Sequence, residues 1–244
     1  MKILYNFTTR SRPDNFKRGL QSIITNSVSD DYHILVSIDG NDSTMNNVDM
    51  LTYLANEPKV SVRVGNSNSK IDAINRDVND FTKYCDWDII VNMSDDMMFT
   101  VKGFDDIIRQ EFKETLAEDS NGEREVVIDL DQALHFPDQH QGANCMSLSI
   151  LGREYYNRDM FIYNPAFESL WVDIVAQEEA QIRGCYKFVN QNIFLHLHPS
   201  FGDCAYDSQY QKTEDWGVRQ RDYATYLRLK QVYDKDNRFP IRSI

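Results

Sequence analysis

Trp87-Asp88-Ile89-Ile90-Val91-Asn92-Met93-Ser94-Asp95-Asp96 is the stretch that decides how this chain folds. Residues 87–93 form a nearly continuous apolar run, the pattern of a strand buried on both faces of a parallel sheet. A strand with one wet face alternates instead. Two adjacent carboxylates follow directly. Open parallel sheets bind ligands at the carboxyl ends of their strands, so this stretch points to a fold and a site together.

The same alternation runs upstream. Residues 3–9 read as a strand, and Ser11-Arg12-Pro13 is a cap-and-proline start for a helix to about residue 25. A strand over 32–39, a helix over 44–56 and a short strand over 59–64 come next. Ser69-Lys70-Ile71-Asp72 has the form of a capping box and opens a helix to about residue 84. Downstream, residues 102–116 read as helix. The polar run Ala117-Glu118-Asp119-Ser120-Asn121-Gly122-Glu123 is the one credible break. Beyond it the pattern gives a strand at 126–130, an apolar stretch at 146–151, a helix at 169–183, a strand at 189–197 and a helix at 206–232. The reading is α/β: a mostly parallel twisted sheet flanked by helices, with a mixed portion in the second half, in one domain over 1–244.

Composition agrees. The chain has 244 residues, long enough for a sizeable core without disulfides or a structural metal. Its 12% aromatic content, with 10 Gly and 6 Pro, excludes disordered and fibrous classes. A net charge of −12 argues against a broad grip on a phosphate backbone but leaves room for a local anion site built with a metal ion. Basic residues cluster thinly, at Arg10, Arg12, Lys17 and Arg18, and at Arg219, Arg221, Arg228 and Lys230 on the last helix. Cys85, Cys145, Cys185 and Cys204 form no CxxC pair, as expected of reduced thiols in a cytoplasmic protein. Arg10 and Arg12 arrive too early for a signal-peptide apolar region, and no stretch is long enough to span a membrane.

Chemistry collects at the predicted strand ends: Thr8-Thr9-Arg10-Ser11-Arg12, Asp39-Gly40-Asn41-Asp42-Ser43, Ser94-Asp95-Asp96 and His196-Leu197-His198-Pro199. Neighbouring carboxylates repel, and a divalent cation is the usual reason to keep them together. A neutral imidazole from His196 or His198 could complete such a shell, and strand alternation puts both on one face. The segment from Asp39 lacks the sixth-position Gly and twelfth-position Glu of a calcium loop, so that reading is rejected. Asp39 is suited instead to accepting hydrogen bonds from a base or ribose. Lys70, in the first turn of a capped helix, is suited to a phosphate.

These motifs resemble, in order along nearly the whole chain, nucleotide-sugar glycosyltransferases of the GT-A fold. The resemblance is to small phage and bacterial proteins related to glycosyltransferase family 2. It is carried by Thr9-Arg10-Ser11-Arg12-Pro13, Ser37-Ile38-Asp39-Gly40-Asn41-Asp42-Ser43, Gly65-Asn66-Ser67-Asn68-Ser69-Lys70, Ser94-Asp95-Asp96-Met97, Gly152-Arg153-Glu154, Ser169-Leu170-Trp171-Val172-Asp173 and His196-Leu197-His198-Pro199. It implies a nucleotide-binding half over 1–100 and an acceptor-side half over 101–244. Thr9, Arg10, Arg12, Asp39, Asp42, Lys70, Asn75, Ser94 and Asp95 would then contact the nucleotide-sugar, UDP-linked by preference. Asp96, with His196 or His198, would hold Mn²⁺ or Mg²⁺. Asp173 stands where inverting members carry the base, but Ile174 and Val175 replace the Asn and Glu that follow it there. A helical wheel centres the apolar face near Glu178 with Asp173 opposite, so Glu178 and Glu168 stay open as the catalytic carboxylate. The segment 131–138 reads as acceptor-specific. The acceptor is left as a glycan, a protein or a modified base of DNA. Two alternatives stand beside transfer: a metal-dependent phosphohydrolase or nucleotidyltransferase, and a non-catalytic binding module. The setting is the cytoplasm, a host's if the source is viral.

Overall fold

The computed structural model describes residues 1–236 except Ala117 and Asp119, so part of the expected break at 117–123 lies outside the described residues. The first half follows the sequence closely: β1 (Ile3–Thr9), α1 (Pro13–Asn26), β2 (Tyr32–Asp39), α2 (Val48–Ala55), β3 (Val60–Gly65), α3 (Lys70–Phe81) and β4 (Ile89–Met93). All five residues of β4 are buried, as its unbroken apolar run requires. Ser69 caps α3 by accepting from the Asp72 N–H at 3.0 Å, and the Asp72 carboxylate accepts from the Asn68 N–H at 2.8 Å. The return bond reaches the residue before the cap and not the Ser69 N–H, so this is a variant of the expected capping box. α2 starts four residues later than expected, at Val48, because Asp42 and Asn47 use the intervening backbone groups for turns.

The second half departs further. β5 (Met97–Phe99) was not anticipated, and α4 (Phe104–Glu111) is shorter than the expected 102–116 helix. Gly103, left-handed at φ 81°, delays its start, and the chain becomes extended after Glu111. There β6 (Lys113–Thr115) pairs antiparallel with β7 (Val126–Ile128) as a separate ribbon, so the expected 126–130 strand does not join the main sheet. β8 (Ala133–His135) is a buried strand inside the stretch read as an acceptor loop. β9 (Ile150–Gly152), α5 (Arg153–Asp159) and α6 (Val172–Ile182) follow. β10 (Tyr186–Phe188) lies just before the expected 189–197 strand, of which only β11 (Phe194–His196) forms. The expected last helix breaks at Glu214 and Asp215 into α7 (Ser208–Thr213) and α8 (Trp216–Asp236).

One seven-stranded sheet runs β10-β8-β9-β4-β1-β2-β3, with β9 antiparallel to β4 and β8 and all other neighbours parallel. This is the expected mostly parallel sheet with a mixed portion, and its strands come from both halves of the chain. β1 pairs with β2 on one side and β4 on the other, so chain order reverses between β1 and β4 and opens a crevice at their carboxyl ends. Two apolar clusters cover the faces. One holds Phe7, Phe16, Val36, Met93 and Phe104, the other Leu4, Leu35, Ile74, Ile90 and Tyr156. β11 leaves the main sheet to pair with β5 (His196 opposite Met97), which brings a distant histidine beside the β4 end.

Gly152 fixes the approach of the 130 region to β9, since a Cβ there would sit 2.2 Å from the Leu130 carbonyl oxygen. Backbone cannot yield as a side chain does. Gly152→Ala is expected to cost about 3 kcal/mol and to lower Tm by roughly 5–10 °C in calorimetry.

Candidate active site

The crevice between β1 and β4 is a cleft of about 330 Å³ lined by Thr9, Arg10, Arg12, Asp39, Lys70, Arg76, Ser94, Asp95, Asp96 and Tyr210, among others. The loop that leaves β1 sets its cationic wall. Ser11 is held left-handed at φ 61°, and its N–H donates to the buried Asp42 carboxylate at 2.8 Å. Backbone strain of this kind gathers at functional sites. Flanking it, Arg10 and Arg12 reach different partners. Arg10 donates to Asp39, whose carboxylate also accepts from Ser67 and from Arg76 at 3.2 Å. Arg12 donates to Asp95 at 2.9 Å and, in a two-pronged pair, to Asp207 at 2.7 and 2.8 Å. Burial opposes the Arg12 charge, yet Asp207 and Asp95 hold its pKa well above the ordinary value.

The adjacent acids are separated by their partners. Asp95 accepts from Arg12 and from the Thr9 hydroxyl at 3.3 Å, and burial followed by the neighbouring Asp96 charge pushes its pKa up to about 6. Asp96 accepts from the Tyr210 hydroxyl at 2.9 Å through Oδ2 and from Ser94 through Oδ1, and that same Oδ1 lies 3.8 Å from His196 Nε2. Burial works against the Asp96 charge, but His196 and Lys70 hold its pKa well below the carboxylate range. On the far side of the imidazole, His196 Nδ1 lies 3.3 Å from the fully buried Asp138. Desolvation opposes the imidazolium, while Asp138 and Asp96 outweigh it and raise the His196 pKa to about 9.

His198 is not drawn to Asp96. It lies beyond the end of β11, caps a short turn by accepting from the Ser200 N–H at 3.2 Å, and faces Glu214 at 3.0 Å. The expectation of a His196–His198 pair on one strand face therefore gives way to His196 alone. Asp173 opens α6 and is half-buried. Burial raises its pKa, Lys70 lowers it, and the Tyr163 hydroxyl is within hydrogen-bonding reach. Glu178 leads away from the cleft, toward the Tyr226 hydroxyl at 3.1 Å and Lys230 at 3.6 Å on α8. The helical wheel misplaced it because α8 covers that side of α6. Glu168 lines the cleft and pairs with Arg221 at 2.6 Å.

Two other expected nucleotide contacts are structural. Asp42 is buried, holding Ser11 and Thr44. Asn75 is buried, donating to the Tyr163 carbonyl at 2.7 Å and accepting from the Ile162 N–H at 3.0 Å. Sequence reading missed Arg76, Ser67, Asp138, Asp207 and Tyr210. Arg76 had a signal: Lys70, Ala73 and Arg76 recur every third residue and line the cleft from one face of α3.

No family model and no curated protein matches the sequence. Solved structures do. The mannosyltransferase PcManGT of Pyrobaculum calidifontis, determined with GDP-Man and Mn²⁺, superposes with a TM-score of 0.63 at 10% identity over 93% of this chain. S. aureus TarS 1-349 with UDP gives 0.56 at 10% identity over 80% of this chain, and with UDP-GlcNAc 0.55 at 10% identity over 80%. This chain spans 64% of the mannosyltransferase and 59% and 57% of those TarS chains. The α/β fold is thus the one these proteins share.

Asn75→Ala strands three backbone groups inside the core, the Tyr163 carbonyl and the Ile162 and Tyr163 N–H groups, whereas Lys70 is exposed. Asn75→Ala is expected to cost about 2–3 kcal/mol and Lys70→Ala under about 0.5, as paired denaturant titrations will read.

Proposed function

We propose that this chain transfers a sugar from a nucleoside diphosphate sugar, UDP-linked by preference, to a hydroxyl acceptor, with a divalent cation and inversion at the anomeric carbon. The observation that carries this reading is one cleft, at the sheet's switch point, lined by Asp39, Lys70 and Asp96 together. Asp39, steadied by Arg10 and Arg76, offers an acceptor-only group to the hydroxyls or N–H groups of a nucleoside. Lys70 and the capped start of α3 suit the diphosphate.

The donor set fits a substrate-completed metal. Among the described residues no group of three or more His, Cys, Asp or Glu is arranged to hold an ion. Asp96 and His196 give one carboxylate and one imidazole, and Mg²⁺- or Mn²⁺-type ions commonly fill the rest of their shell with phosphate oxygens and water. A bound ion would neutralise the charge that builds on the diphosphate leaving group. Asp138 would orient His196 from behind, as carboxylates do for metal-ligating histidines.

Asp173 is the base in this reading. Burial raises its pKa toward the working range of a proton acceptor, and the charges of Lys70, His196 and Asp96 in the candidate site act on it, although Asp173 is not itself among the residues that line the cleft. Removal of a proton from the attacking hydroxyl by an enzyme carboxylate gives direct displacement and inversion. The mannosyltransferase and TarS structures, with their GDP- and UDP-linked ligands, support the donor class. No helix among the described residues is long and apolar enough to cross a membrane, and all four cysteines are free thiols. Those thiols suit a reducing cytoplasm, a host's if the chain is of phage origin.

The deciding experiment supplies UDP- and GDP-sugars with Mn²⁺ and follows nucleoside diphosphate release. Release that needs Mn²⁺, stops with EDTA and falls at least about 100-fold in Asp96→Ala is expected. Absence of release from every common donor would overturn glycosyl transfer and leave a binding module or a different phosphate chemistry. Asp173→Asn should lower kcat by about 10²–10⁴-fold while calorimetric donor affinity stays unchanged. Asp138→Asn should weaken Mn²⁺ binding by about 10–100-fold, read by titration of the metal into the nucleotide-bound protein.

A further inference from the structure

The segment after β8 joins the two chemical ends of the site. The Gln139 amide clamps the His196 backbone from both sides, accepting from its N–H at 3.0 Å and donating to its carbonyl at 2.8 Å. Asp138 ties the next turn by accepting from the His140 N–H at 2.9 Å and the Gln141 N–H at 2.6 Å. The Ala143 carbonyl then accepts from Gln177 at 3.1 Å, one turn beyond Asp173 on α6. Residues 138–144 therefore bridge from the candidate metal ligand to the helix of the candidate base.

On this bridge His140 lies flat against Phe201, with ring centroids 4.0 Å apart and planes 10° from parallel. Asp203 holds the imidazole through Nε2, and the pair connects to the site through His198, at 6.0 Å from Phe201 and 5.8 Å from His196 between ring centroids. Phe201 nevertheless remains 46% exposed. A rigid aromatic pair with a carboxylate at its edge suits a pyranose ring, whose C–H face is apolar and whose rim carries hydroxyl donors.

Charge narrows the occupant. Residues 199–215 carry Asp203, Asp207, Glu214 and Asp215 against Lys212. On the last helix Arg219 faces Glu214, Arg221 faces Glu168 and Lys230 faces Glu178, while among the described residues Arg228 meets only the Thr225 hydroxyl. A phosphate backbone gains nothing from such a rim.

We propose that the His140–Phe201 pair is the acceptor platform and that the acceptor is an uncharged sugar ring of a glycan or glycoside. This rests on the transfer reading above and adds the acceptor class to it. The test has two arms. In the first, NMR follows the His140 ring signals while methyl and p-nitrophenyl hexopyranosides are titrated into the wild type, Phe201→Ala and Phe201→Trp. The platform requires glycoside-dependent shifts in the wild type and Phe201→Trp that vanish in Phe201→Ala; no shift with any glycoside overturns it. In the second, donor hydrolysis by water and transfer to the same glycosides are measured. Phe201→Ala should leave hydrolysis unchanged, lower Tm by about 1–6 °C through loss of the ring stack, and raise acceptor KM about tenfold, with Phe201→Trp near wild type. An unchanged KM, or transfer to hydroxymethylated DNA with none to glycosides, overturns the platform while leaving glycosyl transfer intact. A wild type that hydrolyses no donor fails the transfer reading, and the NMR arm still decides whether the platform binds sugar.

Discussion

Two carboxylates on consecutive residues at the mouth of a buried strand cannot share one environment and both stay charged. The chain resolves this by sending them to different cations. Asp95 is met by Arg12, and Asp96 by His196. Burial weighs on both, which is why Asp95 rises to about 6 while Asp96, with more partners, is held low. Much of the surrounding structure serves this division. Arg12 is the N-cap residue of α1, and it follows Ser11, which is left-handed and pinned by Asp42. Arg12 in turn grips Asp207 and stacks 3.9 Å from the Tyr210 ring, which lays α7 over Asp96. The acidic pair seemed from sequence to need a metal for tolerance. In the folded chain Arg12 and a protonated His196 already supply it, and an ion at Asp96 would replace the His196 charge, with the imidazole then neutral.

The first hundred residues were legible because their strands are long enough, at five to eight residues for four of them, for pattern to speak. β5 through β11 are three residues each, and a strand that short is defined by its partner and not by its own sequence. β8 shows this: Ala133-Leu134-His135 sits among polar residues, yet pairing with β9 and β10 makes it interior sheet. The site divides in the same way. Thr9, Arg10, Asp39 and Lys70 follow from strand ends and a cap. Asp138 meets His196 across 58 residues of sequence, and nothing local announces that contact. Asp42 and Asn75 misled because a polar residue near a strand end looks like a ligand contact, when its carboxylate or amide is already spent on buried backbone groups.

The start of α6 depends on the end of the chain in a way that Asp39 does not. Asp222 of α8 is buried and accepts from three consecutive backbone N–H groups, Glu168, Ser169 and Leu170, at 2.8, 2.8 and 2.7 Å. Those groups form the turn that delivers Trp171, left-handed at φ 68°, and then Asp173. Trp171 stacks on Tyr226 at 5.4 Å, which closes the same joint from the side-chain direction. The carboxylate at the start of α6 is therefore aimed by a helix that begins forty-odd residues later, while Asp39 is aimed by the end of β2 and Lys70 by the Ser69-capped start of α3. A sheet is conserved by pattern and tolerates 10% identity to its structural neighbours; an aim set by one buried carboxylate is particular to its own sequence. The strand ends that line the cleft are accordingly where this fold is general, and the part assembled from α6, the 138–144 bridge and the C-terminal helices is where this chain is individual.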